Sequence, residues 1–259
     1  MLNKRIGEIF TILEKENSVS VEELAQRFNV SLGTIRRDLQ IMEDNNMIKR
    51  YYGGAVINTK EKNEKSVKTR DLMAVKEKQL IARYAASLIR DGDIVYLDAG
   101  STTSKIIQYI TAKDITVVTQ GIHNITLLIQ RGITCYSAGG FLKNNNEILV
   151  GDETVEKIRS MKFNITFLGA NGVHPVTGFT TTDESEAKIK TAALKAGEKC
   201  YIMADSSKFG VLNFFRFANI DDASVITDNL IEGFDYSIFK ELISVTGKEI
   251  RRYREGKPQ

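Results

Sequence analysis

Cysteine, histidine, proline and net charge are all scarce in this 259-residue chain, and each shortage removes a class of explanation. The two cysteines, Cys135 and Cys200, are too few and too far apart for a disulfide framework or a zinc site. Both fall in apolar runs of strand length and are expected as reduced core thiols. The two histidines, His123 and His174, lack metal-ligand spacing, so no metal is expected. His123 fits a helix surface, and His174 a structural or ligand-rim position. With two prolines and 27% charged residues, the composition is that of a soluble globular protein. No apolar run reaches the roughly 18 residues of a membrane span. Lys4 and Arg5 are not followed by an uninterrupted apolar stretch with a cleavage site, so no secretory signal is expected and the cytoplasm is the expected location.

Charge is also nearly balanced, with 36 basic and 33 acidic residues giving a net +3. Residues 1–57 are balanced outright, eight bases against eight acids. Any nucleic-acid contact must therefore come from charge sorted by face rather than from bulk attraction. The acids gather in the first two helical stretches, the bases in the third and in the hairpin that follows.

What is present at the N-terminal end is a series of short amphipathic patterns. Residues 4–15 read as a helix with Ile6, Ile9, Phe10 and Leu13 on one face, ended by Asn17-Ser18. Ser20-Val21-Glu22-Glu23 is a capping box that starts a second helix running to about Phe28. Asn29-Val30 turns the chain, and Ser31 caps a third helix. In that helix Ile35, Leu39 and Met42 recur at i, i+4 and i+7, which buries one stripe and turns Thr34, Arg36, Arg37 and Gln40 outward or to the flanks. A helix with a polar, Arg-bearing front and an apolar back suits the DNA major groove. Residues 43–46 suit a turn. Two short strands around Tyr52-Gly53-Gly54 then form a wing, with Lys49 and Arg50 placed to neutralise phosphates and Gly53 and Gly54 letting backbone approach a groove.

Residues 58–71 hold one aliphatic side chain among alternating charges and read as a linker. Beyond it, strand-length apolar runs at 94–97, 115–119, 133–137, 165–168, 200–204 and 224–227 alternate with helical stretches at 102–110, 122–130, 153–161 and 184–196. This is βαβ repetition around a mostly parallel sheet, in which ligands bind outside the carboxyl ends of the strands. Four such ends carry suitable chemistry. Asp98, Gly100, Ser101, Thr102 and Thr103 form a hydroxyl-rich loop opening a helix, an anion cradle by type. Gly139 and Gly140 follow the third strand. Asn171 and Gly172 follow the fourth, with Thr181 and Glu186 beyond, and Lys208 follows the fifth. The first loop lacks the Walker A lysine and the G-x-G-x-x-G of dinucleotide folds, so no cofactor is expected.

The segments VSVEELA, VS-x-x-TIRRDL and RYYGGA (residues 19–25, 30–39 and 50–55) resemble the DeoR family of bacterial transcription regulators. The D-x-GSTT loop, the Gly-Gly turn, the T-x-x-x-EA segment and ADSSKFG at 204–210 resemble that family's effector domain, which is similar in fold to ribose-5-phosphate isomerase. The resemblance covers Arg5 to about Asp228. It implies a winged helix-turn-helix at 1–57 and, after the linker, a Rossmann-like α/β domain at 72–259. It implies double-stranded operator DNA on the third helix and wing, with Ser31, Thr34, Arg36, Arg37, Gln40, Lys49, Arg50, Gly53 and Gly54 in contact. Asp38 is then an intradomain partner for an arginine. It further implies a phosphorylated sugar effector whose phosphate lies on Gly100, Ser101, Thr102 and Thr103, with Lys208 as second anchor and Lys188 or Lys190 as a further cation. The expected function is a non-enzymatic regulator, a repressor of a carbohydrate operon acting as a homodimer or homotetramer. The alternative is a sugar-phosphate isomerase with a fused DNA-binding head. Three positions depart from the pattern: Gly33 replaces a common Met, Asn171 a common Asp, and His174 the isomerases' second acid. An isomerase needs a carboxylate base to move the proton, and Glu184 or Glu186 could serve, but loss of both acids of that loop weakens the isomerase alternative.

Overall fold

The apolar stripes of the first 57 residues fold into three helices and a small sheet. The structure, a computed structural model, describes residues 2–44, 47–57, 70–143, 147–247, 249–254 and 257–258, and divides into two units, 1–75 and 76–259. In the first unit α1 (Leu2–Glu16), α2 (Val21–Phe28) and α3 (Leu32–Asp44) enclose Ile6, Ile9, Phe10, Leu13, Leu24, Ile35, Leu39 and Met42. The capping box forms as the sequence requires: Glu23 N–H donates to Ser20 Oγ at 3.1 Å, and Ser20 N–H to Glu23 Oε2 at 3.0 Å. Asn29 ends α2 in the left-handed conformation, φ 49°, a backbone that Asn tolerates well.

Two local expectations need correction. Residues after Asn17 do not merely break the chain: β1 (Ser18–Ser20) pairs with β3 (Gly54–Ile57), which also pairs with β2 (Ile48–Tyr51). The wing is thus a three-stranded antiparallel sheet ordered β1-β3-β2. Nor is 43–46 all turn, because α3 runs to Asp44. Its last turn is held by Gln40 Nε2 donating to Asp44 Oδ1 at 2.8 Å, and Met47 N–H donates back to Met42 O at 2.9 Å. Positions 45–46 lie outside the described residues, as does most of the expected linker, 58–69. Leu72 and Met73 pack on the core of the first unit.

The second unit is built on a nine-stranded sheet. Its strands are β4 (Ile94–Leu97), β5 (Thr116–Thr119), β6 (Thr134–Ser137), β9 (Phe163–Gly169), β12 (Gly197–Met203), β14 (Ser224–Thr227), β15 (Glu241–Thr246), β16 (Glu249–Arg254) and β17 (Lys257–Pro258). The spatial order is β17-β16-β15-β14-β12-β9-β4-β5-β6. The seven strands from β15 to β6 are parallel, and β16 and β17 are added antiparallel at one edge. Alternation along the strands feeds two cores. Val95, Leu97, Val117 and Phe167 pack with α4 (Val75–Ala86) and α5 (Ile122–Gln130), while Tyr96, Leu168 and Ile202 pack with α6 (Asp152–Arg159) and α7 (Glu184–Ala196). Burial on both faces explains why the central strands read as continuous apolar runs.

A hairpin of β7 (Phe141–Lys143) and β8 (Ile148–Val150) and a second sheet of β10 (Gly172–His174), β11 (Gly178–Thr181) and β13 (Phe215–Ala218) were not expected from the sequence, being too short to show a period. The expected helix at 102–110 is a 3-10 helix, Thr103–Tyr109. Thr103 and Ser104 hydroxyls donate back to Gly100 O at 2.8 and 2.9 Å, a local bond that competes with regular α-helix. The cysteines lie in β6 and β12 as free thiols, but both are half-buried rather than core. Burial pushes the Cys200 thiol up to about 11.

Candidate nucleic-acid interface and ligand rim

The third helix is oriented by its own cap and by one buried ion pair. Ser31 Oγ accepts the Thr34 N–H at 3.2 Å, so the helix begins where the hydroxyl permits. Asp38 lies on the inner face with Ile35 and Leu39, fully buried. Its carboxylate takes both Nε and Nη2 of Arg5 on α1, the latter at 3.0 Å. The hydrogen bond from Arg5 keeps that guanidinium protonated above its ordinary value. With Asp38 turned inward, α3 presents the consecutive Arg36 and Arg37 to solvent.

The remaining expected DNA contacts divide. Lys49 is exposed on β2. Gln40 is exposed, and its Oε1 accepts from Arg50 Nη1, which ties α3 to the wing. Arg50 N–H also donates to Glu43 Oε1 at 3.0 Å. Gly53 stands at the turn with φ +88° and open space where a Cβ would go. Gly54 differs: it is buried in the sheet, where a Cβ would sit 2.6 Å from Val19 O and from the Tyr51 ring. Its missing side chain serves strand packing. Tyr52 at the wing tip is fully exposed, a position that sequence reasoning passed over.

At the carboxyl end of β4 the polar residues are mostly committed to each other. Asp98 is buried, with Oδ1 accepting from Gln120 Nε2 at 2.8 Å and Oδ2 accepting from Gly169 N–H at 2.9 Å and from Lys190 Nζ. Burial by itself pushes this carboxyl up, but the Lys190 charge and these donors hold it below its ordinary value. Lys190 Nζ also donates to Gly169 O at 3.0 Å, so it joins the ends of β4 and β9 to α7. Of the two lysines the sequence could not place, Lys190 is therefore the interior one. Lys188 is exposed and paired with Glu184 at 2.9 Å. Tyr96 Oη donates to Gln120 Oε1 at 2.6 Å, and burial raises the Tyr96 phenol well above its ordinary value. Asn124 Nδ2 donates to Asp98 O and Thr119 Oγ1, both at 3.0 Å, and its Oδ1 accepts from Ser104 at 2.6 Å.

This network changes the roles expected of the loop. Asp98 acts as a strut, with both carboxylate oxygens engaged by protein donors. Thr103 is buried and donates to Asp98 O at 2.7 Å, so its hydroxyl holds the loop instead of lining it. Ser101 accepts from Lys78 Nζ at 2.9 Å, which brings a buried cation from α4 to the loop. Lys78, Gln120 and Asn124 were missed. Gln120 follows β5 at the same rim, and the strand-end rule that found the other loops would have found it too.

The other expected ligand residues form a second group. Thr181 Oγ1 lies 3.1 Å from Asn171 Oδ1 and 3.3 Å from Glu186 Oε2, so these three are brought together. Gly172 is packed against Val211 O and Thr180 Oγ1, and a Cβ there would meet them at 2.3 and 2.7 Å. Gly139 O accepts from Thr154 at 2.7 Å, and a Cβ on Gly140 would meet Thr154 Oγ1 at 2.0 Å. These glycines thus seat α6. Lys208 is partly exposed, 3.2 Å from Ser207 Oγ and 3.9 Å from Asp205 Oδ2. His174 Nδ1 accepts the N–H groups of Val176 and Thr177 at 3.3 and 3.2 Å, a structural role in the β10–β11 turn. His123 is exposed on α5.

A capped helix with outward arginines and a sheet-backed wing, followed by a parallel α/β unit with a polar rim, defines a DNA-binding regulator with a sensor domain. The sequence matches the DeoR-like helix-turn-helix domain over residues 5–61 and the DeoR C terminal sensor domain over residues 73–229. It is 39% identical over 221 residues to the HTH-type transcriptional regulator FruR of Bacillus subtilis, covering 85% of this chain and 88% of that protein. It is 31% identical over 230 residues to the lactose phosphotransferase system repressor of Staphylococcus epidermidis, covering 87% and 91%. The chain belongs to the DeoR family of helix-turn-helix transcriptional regulators. Among solved structures, ribose 5-phosphate isomerase A from Neisseria gonorrhoeae aligns with 19% identity and a TM-score of 0.38, over 51% of this chain and 52% of that one. Among the described residues no helix is long and apolar enough to cross a membrane.

Proposed function

We propose that this chain represses a carbohydrate-use operon in the cytoplasm and leaves its operator when a phosphorylated sugar binds the rim of the second unit. The observation that carries the DNA reading is the sequestration of Asp38 by Arg5, which leaves Arg36 and Arg37 as the outward charges of that stretch of α3. The printed role of the lactose phosphotransferase system repressor supports a sugar-linked operon. For the effector, the support is the loop at Gly100, Ser101 and Thr102 backed by the buried Lys78 ammonium, a polar surface of the kind that takes a phosphate. To act as a switch the sugar must bind two states of the protein with different affinity. One small head buries too little surface for an operator, so two heads from a homodimer or homotetramer would read repeated half-sites.

Catalysis is not part of this reading. Asn171 supplies an amide where an isomerase needs an acid, and His174 is engaged in a turn. A turnover assay with pentose and hexose phosphates is expected to show no isomerisation. The DNA reading is tested by titrating a double-stranded fragment selected from genomic DNA by the wild-type protein. Arg36→Ala and Arg37→Ala are each expected to weaken binding by about 1–3 kcal/mol where a base is read. A phosphate contact would instead flatten the salt slope by about one unit. Unchanged affinity in both variants overturns the assignment of α3. A panel of sugar phosphates screened by thermal shift identifies the effector, because ligand bound to the folded state raises its stability.

A further inference from the structure

Ala74, the residue before α4, has a left-handed backbone with φ 48°. Asn17, Asn29 and Asp114 hold similar values, and their short polar side chains make that conformation tolerable. Alanine has no such help. Its Cβ crowds the following carbonyl, at a cost worth about fivefold or more in an equilibrium constant. Strain of this kind persists only where the structure on either side holds it. On the N-terminal side Leu72 and Met73 pack on the core of the head. Leu72 O and Met73 Cα stand 3.7 and 3.8 Å from where a Cβ on Gly7 of α1 would lie. Two residues before Gly7, Arg5 holds Asp38 of α3. On the C-terminal side α4 begins at Val75, and one turn later its buried Lys78 donates to Ser101 Oγ at 2.9 Å. The strained residue thus stands four positions from the cation of the loop at Gly100–Thr102.

We propose that Ala74 is the hinge through which a phosphate on that loop acts on the DNA-binding head. The proposal rests on the effector reading above and adds the element that carries its signal. A phosphate is a stronger acceptor than the Ser101 hydroxyl and competes with it for the Lys78 ammonium. As Lys78 moves, the first turn of α4 moves with it, and the restraint on the C-terminal side of Ala74 loosens. The Ala74 backbone then relaxes to negative φ. This re-aims the chain beyond Met73 and shifts the seat of Leu72 and Met73 on α1, which carries Arg5 and, through Asp38, α3. The left-handed conformation is the operator-binding one, because with it the Arg5–Asp38 pair is intact and Arg36 and Arg37 face outward. Two states of one backbone dihedral supply the bistable element that both sites bias.

The test titrates the full-length protein with the genomic fragment selected by the wild type, with and without millimolar inorganic phosphate. Ala74→Gly removes the Cβ clash and favours the left-handed state. The phosphate needed for half release is expected to rise about fivefold or more. Ala74→Val tolerates that state worse than alanine does. It is expected to lower the phosphate requirement by a similar factor and to weaken operator binding before phosphate is added. Circular dichroism checks that both variants fold, and if Ala74→Val does not, the rise in Ala74→Gly decides alone. Equal midpoints in the wild type and the folded variants, or shifts of the same sign, overturn the hinge and leave the effector reading standing. If phosphate releases none of the proteins, the effector reading fails and the phosphate-free affinities decide the hinge. Weaker operator binding by Ala74→Val than by Ala74→Gly then upholds it, and equal affinities overturn it.

Discussion

Each unit of this chain has a buried aspartate that takes a hydrogen bond from a cation, Asp38 from Arg5 and Asp98 from Lys190, and the two pairs do opposite things for their surroundings. In the first unit Asp38 is withdrawn from the surface onto Arg5, and the neighbouring Arg36 and Arg37 face outward. In the second unit Asp98 and Lys190 sit at the rim itself, with Gln120 and Gly169 N–H drawn into the same cluster. The head removes an acid from the outer face of α3 by internalising it. The sensor builds its surface on an internalised charge pair. Arg5 also keeps a window to solvent, 17% of its side chain against 4% for Lys190, so removing the acid should be tolerated better in the head.

That asymmetry can be broken by measurement. The largest effect is expected for Asp98→Ala, which leaves Lys190 charged and buried. Chemical denaturation should show a loss of about 3–5 kcal/mol, with part recovered in the Asp98→Ala, Lys190→Met double variant. Asp38→Ala should cost less, about 1.5–3 kcal/mol, because Arg5 can turn to water. Equal losses in the two variants would show that exposure does not separate the pairs. Acid titration should expose the same contrast. Asp98 titrates below its unfolded value, so its contribution is fully present above the ordinary carboxylate range near pH ~3.9 and is lost as pH falls through the lower folded value. Asp98→Asn should flatten that acid limb. Among the proposed effector contacts, Lys78→Met should raise the concentration of effector needed for release by about tenfold or more, as loss of a charge-assisted bond implies. Lys208→Ala should have the smallest effect, since that ammonium is already screened by Asp205 and solvent. A Lys208 effect exceeding that of Lys78 would return the phosphate anchor to Lys208.

The third helix was legible because its signals are local. A cap three residues from its acceptor and apolar residues one turn apart report on themselves, and the predicted bounds of α5 and α7 were correct for the same reason. β1 was not legible: three residues have no period, and Ser18–Ser20 becomes a strand through β3, more than thirty positions away. The rim was half legible. The strand-end rule pointed to Asp98, Asn171, Thr181 and Glu186, of which Thr181 stands within 3.3 Å of both Asn171 and Glu186. Lys78 was not, because a lysine inside an amphipathic helix looks like any solvated one until the fold carries it to Ser101, 23 residues on. Gly54 and Gly140 were placed among binding residues because glycine invites that reading, whereas their neighbours show close packing.

The sequence by itself determined the helix-turn-helix with its caps, the alternation of apolar strands and helices, and the family to which they belong. Those features depend on hydrogen bonds and side-chain stripes within a few residues of one another. Only the tertiary structure decided which polar groups are spent inside and which remain to meet a ligand. Asp38 finds Arg5 across 33 positions and Asp98 finds Lys190 across 92. A buried charge takes the partner that folding brings within reach, and no local propensity encodes that choice.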